Sequence, residues 1–114
     1  MGRMYSVVFE SVAVAALQDF FEIVSAADSV TILHSVVITQ ETEVADAAEE
    51  MLTVVIQTGA TTSGSGGTGP TAIPFMLGDA AFGGAVEVNN TTEATAGTIV
   101  NVHRESFNVR TGFY

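Results

Sequence analysis

The chain has 114 residues, enough for one domain with a core of its own. Thirteen acidic residues against three arginines and no lysine give a formal charge of -10, which repels nucleic acid and anionic membranes at long range; the absence of cysteine removes disulfides, zinc–thiolate sites and thiol catalysis. With 47% hydrophobic and only 14% charged residues, the composition is that of a folding chain despite its eleven glycines.

Residues 1–17 are largely apolar behind Arg3, a superficial likeness to a signal peptide that Glu10 interrupts. Met1, Gly2 and Ser6 also fit the short and common myristoylation pattern. The reading adopted is an alternating strand with Tyr5, Val7 and Phe9 on one face. Nowhere do eighteen apolar residues run together, so the sequence predicts no membrane-spanning helix. Residues 17–24 follow as a second strand on the strength of Phe20, Phe21, Ile23 and Val24, and residues 25–28 as a polar turn.

Residues 29–59 carry the clearest pattern. From 29 to 40, Val30, Ile32, His34, Val36 and Ile38 share one face and Thr31, Ser35 and Thr39 the other; from 51 to 58, Leu52, Val54 and Ile56 oppose Thr53 and Gln57. Two such runs joined by a short connection predict an antiparallel pair. The connection, 41–50, holds five of the thirteen acids and reads as a solvated loop. As a calcium loop it lacks the EF-hand order of ligands, and a cation bound there is expected between subunits.

Residues 59–70 form a low-complexity loop of Gly, Ser and Thr. Gly64, Gly66 and Gly69 have the G-x-G-x-x-G spacing, but Pro70 and Pro74 follow where a dinucleotide site needs a helix, and a lysine-free chain has no P-loop. The expectation is a flexible loop ordered by packing on a neighbouring protein, with no cofactor. Beyond it come a short apolar edge at 73–77, a turn at Gly78 and Asp79, and a strand with Val86 and Val88 pointing inward. Asn89, Asn90, Thr91 and Thr92 present two N-x-T sequons better read as a turn, where Asn tolerates positive φ. Residues 98–102 and 106–109 are the last strand pieces, and Arg104 and Arg110 are expected to pair with acids.

His34 and His103 are the only histidines, and no nucleophile elbow or paired catalytic residues occur at motif spacing. A metal held between the two is less expected than a satisfied core or interface histidine, so no catalytic, cofactor or metal site is assigned. The predicted fold is all-β: an antiparallel β-sandwich, jelly-roll-like, in a single domain over 1–114. The apolar end, with Phe107, Val109, Phe113 and Tyr114, is expected to be an assembly contact or the cut edge of a longer chain.

Three stretches carry a resemblance. They are residues 5–10 with 12–14 and 18–23, residues 78–83 with 87–92, and residues 104–110. Together they resemble a family of small tailed-bacteriophage virion proteins of the capsid decoration, or cement, type, over most of the chain. The resemblance implies a β-sandwich on the outer shell of the virion, made in the host cytoplasm and assembled as a homo-oligomer, a trimer being one option. Its members run past the position of Tyr114, which implies a longer chain. The implied partners are the major capsid protein and further copies of the chain, without nucleic acid or membrane, and a lysine-free acidic surface suits the capsid exterior. The residues expected at such contacts are Tyr5, Phe9, Gly64, Gly66, Gly67, Phe107, Phe113 and Tyr114, acting by loop ordering and strand addition. The alternatives are a tail or head-tail junction protein and a secreted carbohydrate-binding β-sandwich. The absence of tryptophan counts against the latter. An enzyme is the least expected class.

Overall fold

The computed structural model describes residues 2–10, 14, 16–39 and 51–108. Among them are six strands and no helix: β1 (Tyr5–Ser6), β2 (Asp19–Val24), β3 (Met51–Thr58), β4 (Ile73–Pro74), β5 (Ala85–Asn90) and β6 (Val100–Asn108). All three pairings are antiparallel, β1 with β4, β2 with β5 and β3 with β6. The architecture is all-β, as the alternating patterns require. Among the described residues each sheet holds two strands, so the larger sheets of a jelly-roll sandwich are not formed there.

The chain falls into two compact units, one of Met1–Thr31 with Thr61–Ala96, the other of Ile32–Ala60 with Gly97–Tyr114. In the first, β2 and β5 pair with Phe21 opposite Val88 and Ile23 opposite Val86, and Val86 and Val88 are buried with Ala72. Both valines point inward as their alternation predicts. The N-terminal strand is shorter than expected: only Tyr5 and Ser6 join a ladder, opposite Pro74 and Ile73.

The glycine loop differs most from its expectation. Instead of hanging free, it lies along the second edge of β5 and the residues that follow, in three reciprocal hydrogen-bonded bridges: Thr62 with Thr95, Ser65 with Thr92, and Thr68 with Val88. Every third loop residue therefore pairs. The glycines between them sit against backbone and side chains, so that a Cβ on Gly67 would strike the Val88 carbonyl oxygen and one on Gly64 the Thr92 carbonyl oxygen. Gly66 adds a left-handed φ of 87° beside the Thr91 hydroxyl. What reads as low complexity is a close-packed strip in which side-chain volume is excluded.

In the second unit β3 pairs with β6 over its whole length, from Met51 opposite Asn108 to Thr58 opposite Val100, with a register shift between Ile56 and Gln57. Leu52, Val54 and Ile56 are half-buried and Thr53, Val55 and Gln57 exposed, which is the predicted alternation. The expected pair of 29–40 with 51–58 does not form. Residues 29–37 lie in no ladder, Ile38 makes a single bridge, and Val30 and Ile32 remain 89% and 83% exposed. β6 is the better partner because it matches β3 on both faces: Leu52 meets Phe107, Thr53 Oγ1 lies 2.8 Å from Ser106 Oγ, and Gln57 Nε2 donates to Asn101 Oδ1 at 2.9 Å. The two C-terminal strand pieces are one continuous β6.

The packed glycine strip has a direct test. Gly67→Ala is expected to destabilise the protein by about 2 kcal/mol or more, while Gly69→Ala, whose Cβ would make only an ordinary contact with the Val86 carbonyl, stays within about 0.5 kcal/mol of wild type. Equilibrium urea denaturation of the two variants measures the contrast.

Candidate functional site

Glu22 lies directly opposite Glu87 across the β2–β5 ladder. Like charges in that position repel, and both sit in otherwise apolar strand sequence, between Phe21 and Ile23 and between Val86 and Val88. Their common neighbour is Asn90. Asn89 takes a φ of 60°, held by a 2.6 Å hydrogen bond from Gln18 Nε2 to its Oδ1, and this left-handed residue breaks the two-residue alternation of β5. Asn90 consequently turns onto the side of the two glutamates. Its Nδ2 donates to Glu87 Oε2 at 2.8 Å and to Glu22 Oε2 at 3.1 Å.

The glycine strip closes over this group. The Gly64 amide donates to Glu22 Oε2 at 2.9 Å, and at the start of β2, three residues before Glu22, the Ala94 amide donates to Asp19 Oδ2 at 2.7 Å. Acidic side chains of β2 thus satisfy backbone donors on connecting segments that have no full ladder of their own. Asn90 is 1% exposed, and its Oδ1 is a buried acceptor without a hydrogen-bond partner. Burial at this level also removes Asn90 as a glycosylation acceptor. Positive φ at Asn89 is as its sequence predicts, although the residue lies inside β5 and not in a turn beyond it.

The expected contact residues divide into several places. Tyr5 donates its hydroxyl to the Ala80 carbonyl at 2.8 Å and meets the Phe82 ring edge-on at 5.4 Å; Phe9 stacks on Phe20 at 5.4 Å and meets Phe21 edge-on at 6.1 Å. Gly64, Gly66 and Gly67 belong to the strip over β5, and Phe107 is half-buried opposite Leu52. Phe113 and Tyr114 lie outside the described residues, as do Arg110 and the acidic stretch 41–50. Arg104 stands opposite Val55 on the exposed polar face of the ribbon, and on the other face His103 Nε2 lies 3.2 Å from Glu105 Oε2. Arg104 and Glu105 are strand neighbours and point to opposite faces, so they do not meet.

One turn carries three consecutive large apolar side chains on the surface. Phe75 donates its backbone amide to the Met4 carbonyl and Asp79 to that of Met76, with Gly78 at a φ of 94°, so the turn is hydrogen-bonded at both ends. On it Phe75, Met76 and Leu77 are all exposed, Phe75 to 67%. Elsewhere a shallow depression of about 370 Å³ is lined by Pro70, Ala72, Phe82, Val86 and Glu87 among others, with a single titratable side chain and no partner for acid–base chemistry. Among the described residues no three His, Cys, Asp or Glu side chains gather to hold a metal; two carboxylates and one amide do converge, at Glu22, Glu87 and Asn90.

Comparison of the chain with protein-family models, curated proteins and solved structures gave no match in any of the three. The residues that sequence reasoning missed are Glu22, Glu87 and Asn90. The available signal was a lone glutamate in the middle of each of two apolar strands, where charge is depleted unless a partner is waiting. Asn90→Ala is expected to cost about 2–3 kcal/mol, because it leaves two facing carboxylates without their shared donor, and thermal unfolding followed by circular dichroism reports it.

Proposed function

We propose that the chain is a structural protein of a tailed-bacteriophage virion, a decoration or cement protein that binds the major capsid protein on the outer shell and stabilises the head. The observation that carries this reading is the turn bearing Phe75, Met76 and Leu77, three large apolar side chains held out on a hydrogen-bonded support. An exposed group of that kind marks an interaction site. The chain offers it on a strongly acidic background, which favours a protein partner over nucleic acid or an anionic membrane. The resemblance of residues 5–10, 12–14, 18–23, 78–83, 87–92 and 104–110 to small phage virion proteins suggests the identity of the partner. Its segments include β1 and most of β2 and β5, strands of the unit that carries the turn and the glycine strip, and part of β6 in the other unit. The jelly-roll-like sandwich expected from the strand and turn pattern is part of the same proposal.

The mode of binding follows from what is fixed and what is open. Because the glycine strip is already hydrogen-bonded to β5, it contributes a rigid surface, and ordering on a partner is left to other segments. The turn is then the anchor, inserting apolar side chains into a concave site on the shell.

Co-sedimentation of the purified protein with phage heads that lack it tests the proposal. Saturation at on the order of hundreds of copies per head is expected for decoration of a symmetric shell, and about a dozen copies or fewer would move the protein to the portal or tail. The combined variant Phe75→Ser, Met76→Ser, Leu77→Ser is expected to weaken head binding by about tenfold or more while leaving the melting temperature close to wild type, since these side chains are exposed. Absence of binding by the wild-type protein rejects a role on the capsid.

A further inference from the structure

The turn of Phe75, Met76 and Leu77 continues an exposed face of β1 and β4. Tyr5 pairs with Pro74 and the Phe75 amide donates to the Met4 carbonyl, so Met4 and Phe75 are the next opposed pair of that ladder. Successive strand residues point to opposite sides. Tyr5 meets the Phe82 ring at 5.4 Å, which leaves Met4, Phe75 and Ile73 on the other side, and these are 50%, 67% and 60% exposed. Met76, on the turn itself, is 68% exposed. Two of the chain's four methionines therefore stand in solvent on one apolar patch.

The chain has neither cysteine nor tryptophan. Its thioethers are then the side chains most open to two-electron oxidation, and the exposed ones react first. We propose that Met76 and Met4 are reversible oxidation sites, and that peroxide acting on them releases this face from its partner. Hydrogen peroxide is the oxidant: a sulfur lone pair attacks one of its oxygens, the O–O bond breaks, and the departing hydroxide takes the proton from the oxygen now on sulfur and leaves as water. Sulfur loses two electrons, and the peroxide gains them. A methionine sulfoxide reductase with a dithiol reverses the step, releasing the oxygen as water.

The product keeps the length of the side chain and gains a polar oxygen. Against an apolar site on a partner that oxygen is buried without a hydrogen bond, which costs affinity. The fold is untouched, because the buried apolar side chains among the described residues are Ala72, Val86 and Val88, and both methionines are exposed. A seated partner shields the two sulfurs in return, so docking and oxidation exclude each other. The effect on docking rests on the proposed role on the capsid; the reactivity of the two sulfurs does not.

The experiment is peroxide treatment of the purified full chain, read by peptide mass spectrometry, by retention on a phenyl column and by co-sedimentation with phage heads. In the folded protein Met76 is expected to gain one oxygen at a rate within about threefold of that in urea, where every methionine is open to the reagent. The oxidised protein is expected to elute earlier from the column, to keep its Tm, and to bind heads about tenfold more weakly, the change that one unmatched buried polar group produces. In the double variant Met4→Leu, Met76→Leu, compared with itself before and after peroxide, these differences are expected to vanish, since leucine has no sulfur to oxidise. The proposal is overturned by oxidation of Met76 in the folded chain at about a tenth of the urea rate or less, by unchanged retention of the oxidised protein, by full head binding after oxidation, or by a response that persists in the double variant. Failure of the untreated protein to bind heads rejects the capsid role, and the mass spectrometry and the column then decide the oxidation sites by themselves.

Discussion

β5 is hydrogen-bonded along both edges, to β2 on one side and to the glycine strip on the other, and Val88 faces Phe21 and Thr68 at once. A strand in that position must offer something different on each edge. Toward β2 it offers a regular ladder; toward the strip it offers one bridge, Val88 with Thr68, which Thr92 and Thr95 beyond its end continue with Ser65 and Thr62. The strip stays there because glycines stand where it approaches most closely, and it is fixed because Glu22 accepts the Gly64 amide from the ladder beneath. The buried residues Val86, Val88 and Asn90 are all in this one strand. The first unit therefore rests on a polar group and a glycine strip as much as on apolar packing.

The second unit solves the two-stranded problem differently. An isolated ribbon is marginal in water, and here cross-strand pairs support both faces: Leu52 with Phe107 on one, and the Thr53–Ser106 and Gln57–Asn101 pairs on the other. The bulge leaves Val102 as the unmatched residue of β6, exposed between Asn101 and His103. Such a bulge increases local twist.

Alternation made the strands legible. Leu52, Val54 and Ile56 share a face, Val86 and Val88 are inside, and β2 lies within the run that its aromatic and β-branched residues marked out. Partner choice was less legible, because residues 29–40 alternate as well as residues 100–108 do and lie nearer β3 in sequence. The difference is made by side chains that match only across the ladder, and a single strand read alone does not display them. The glycine strip was hidden for a related reason. Its Thr62, Ser65 and Thr68 recur at intervals of three, a period that belongs to neither helix nor strand and becomes meaningful only beside residues 88–95. Asn90 read as turn chemistry, and it became a buried hub because the left-handed residue before it redirected the strand.

The bond between Thr62 and Thr95 has a consequence for the order in which the chain assembles. β3 and β6 are separated by about forty residues, a long loop to close before their ladder is rewarded. Once Thr62 and Thr95 are joined, the effective loop between Thr58 and Val100 shrinks to fewer than about ten residues, which lowers the entropic cost of closure by roughly 1–2 kcal/mol. The glycine strip then acts as a clasp in time as well as in space: a docked strip converts this long-range strand pairing into a local one and favours closure of the ribbon.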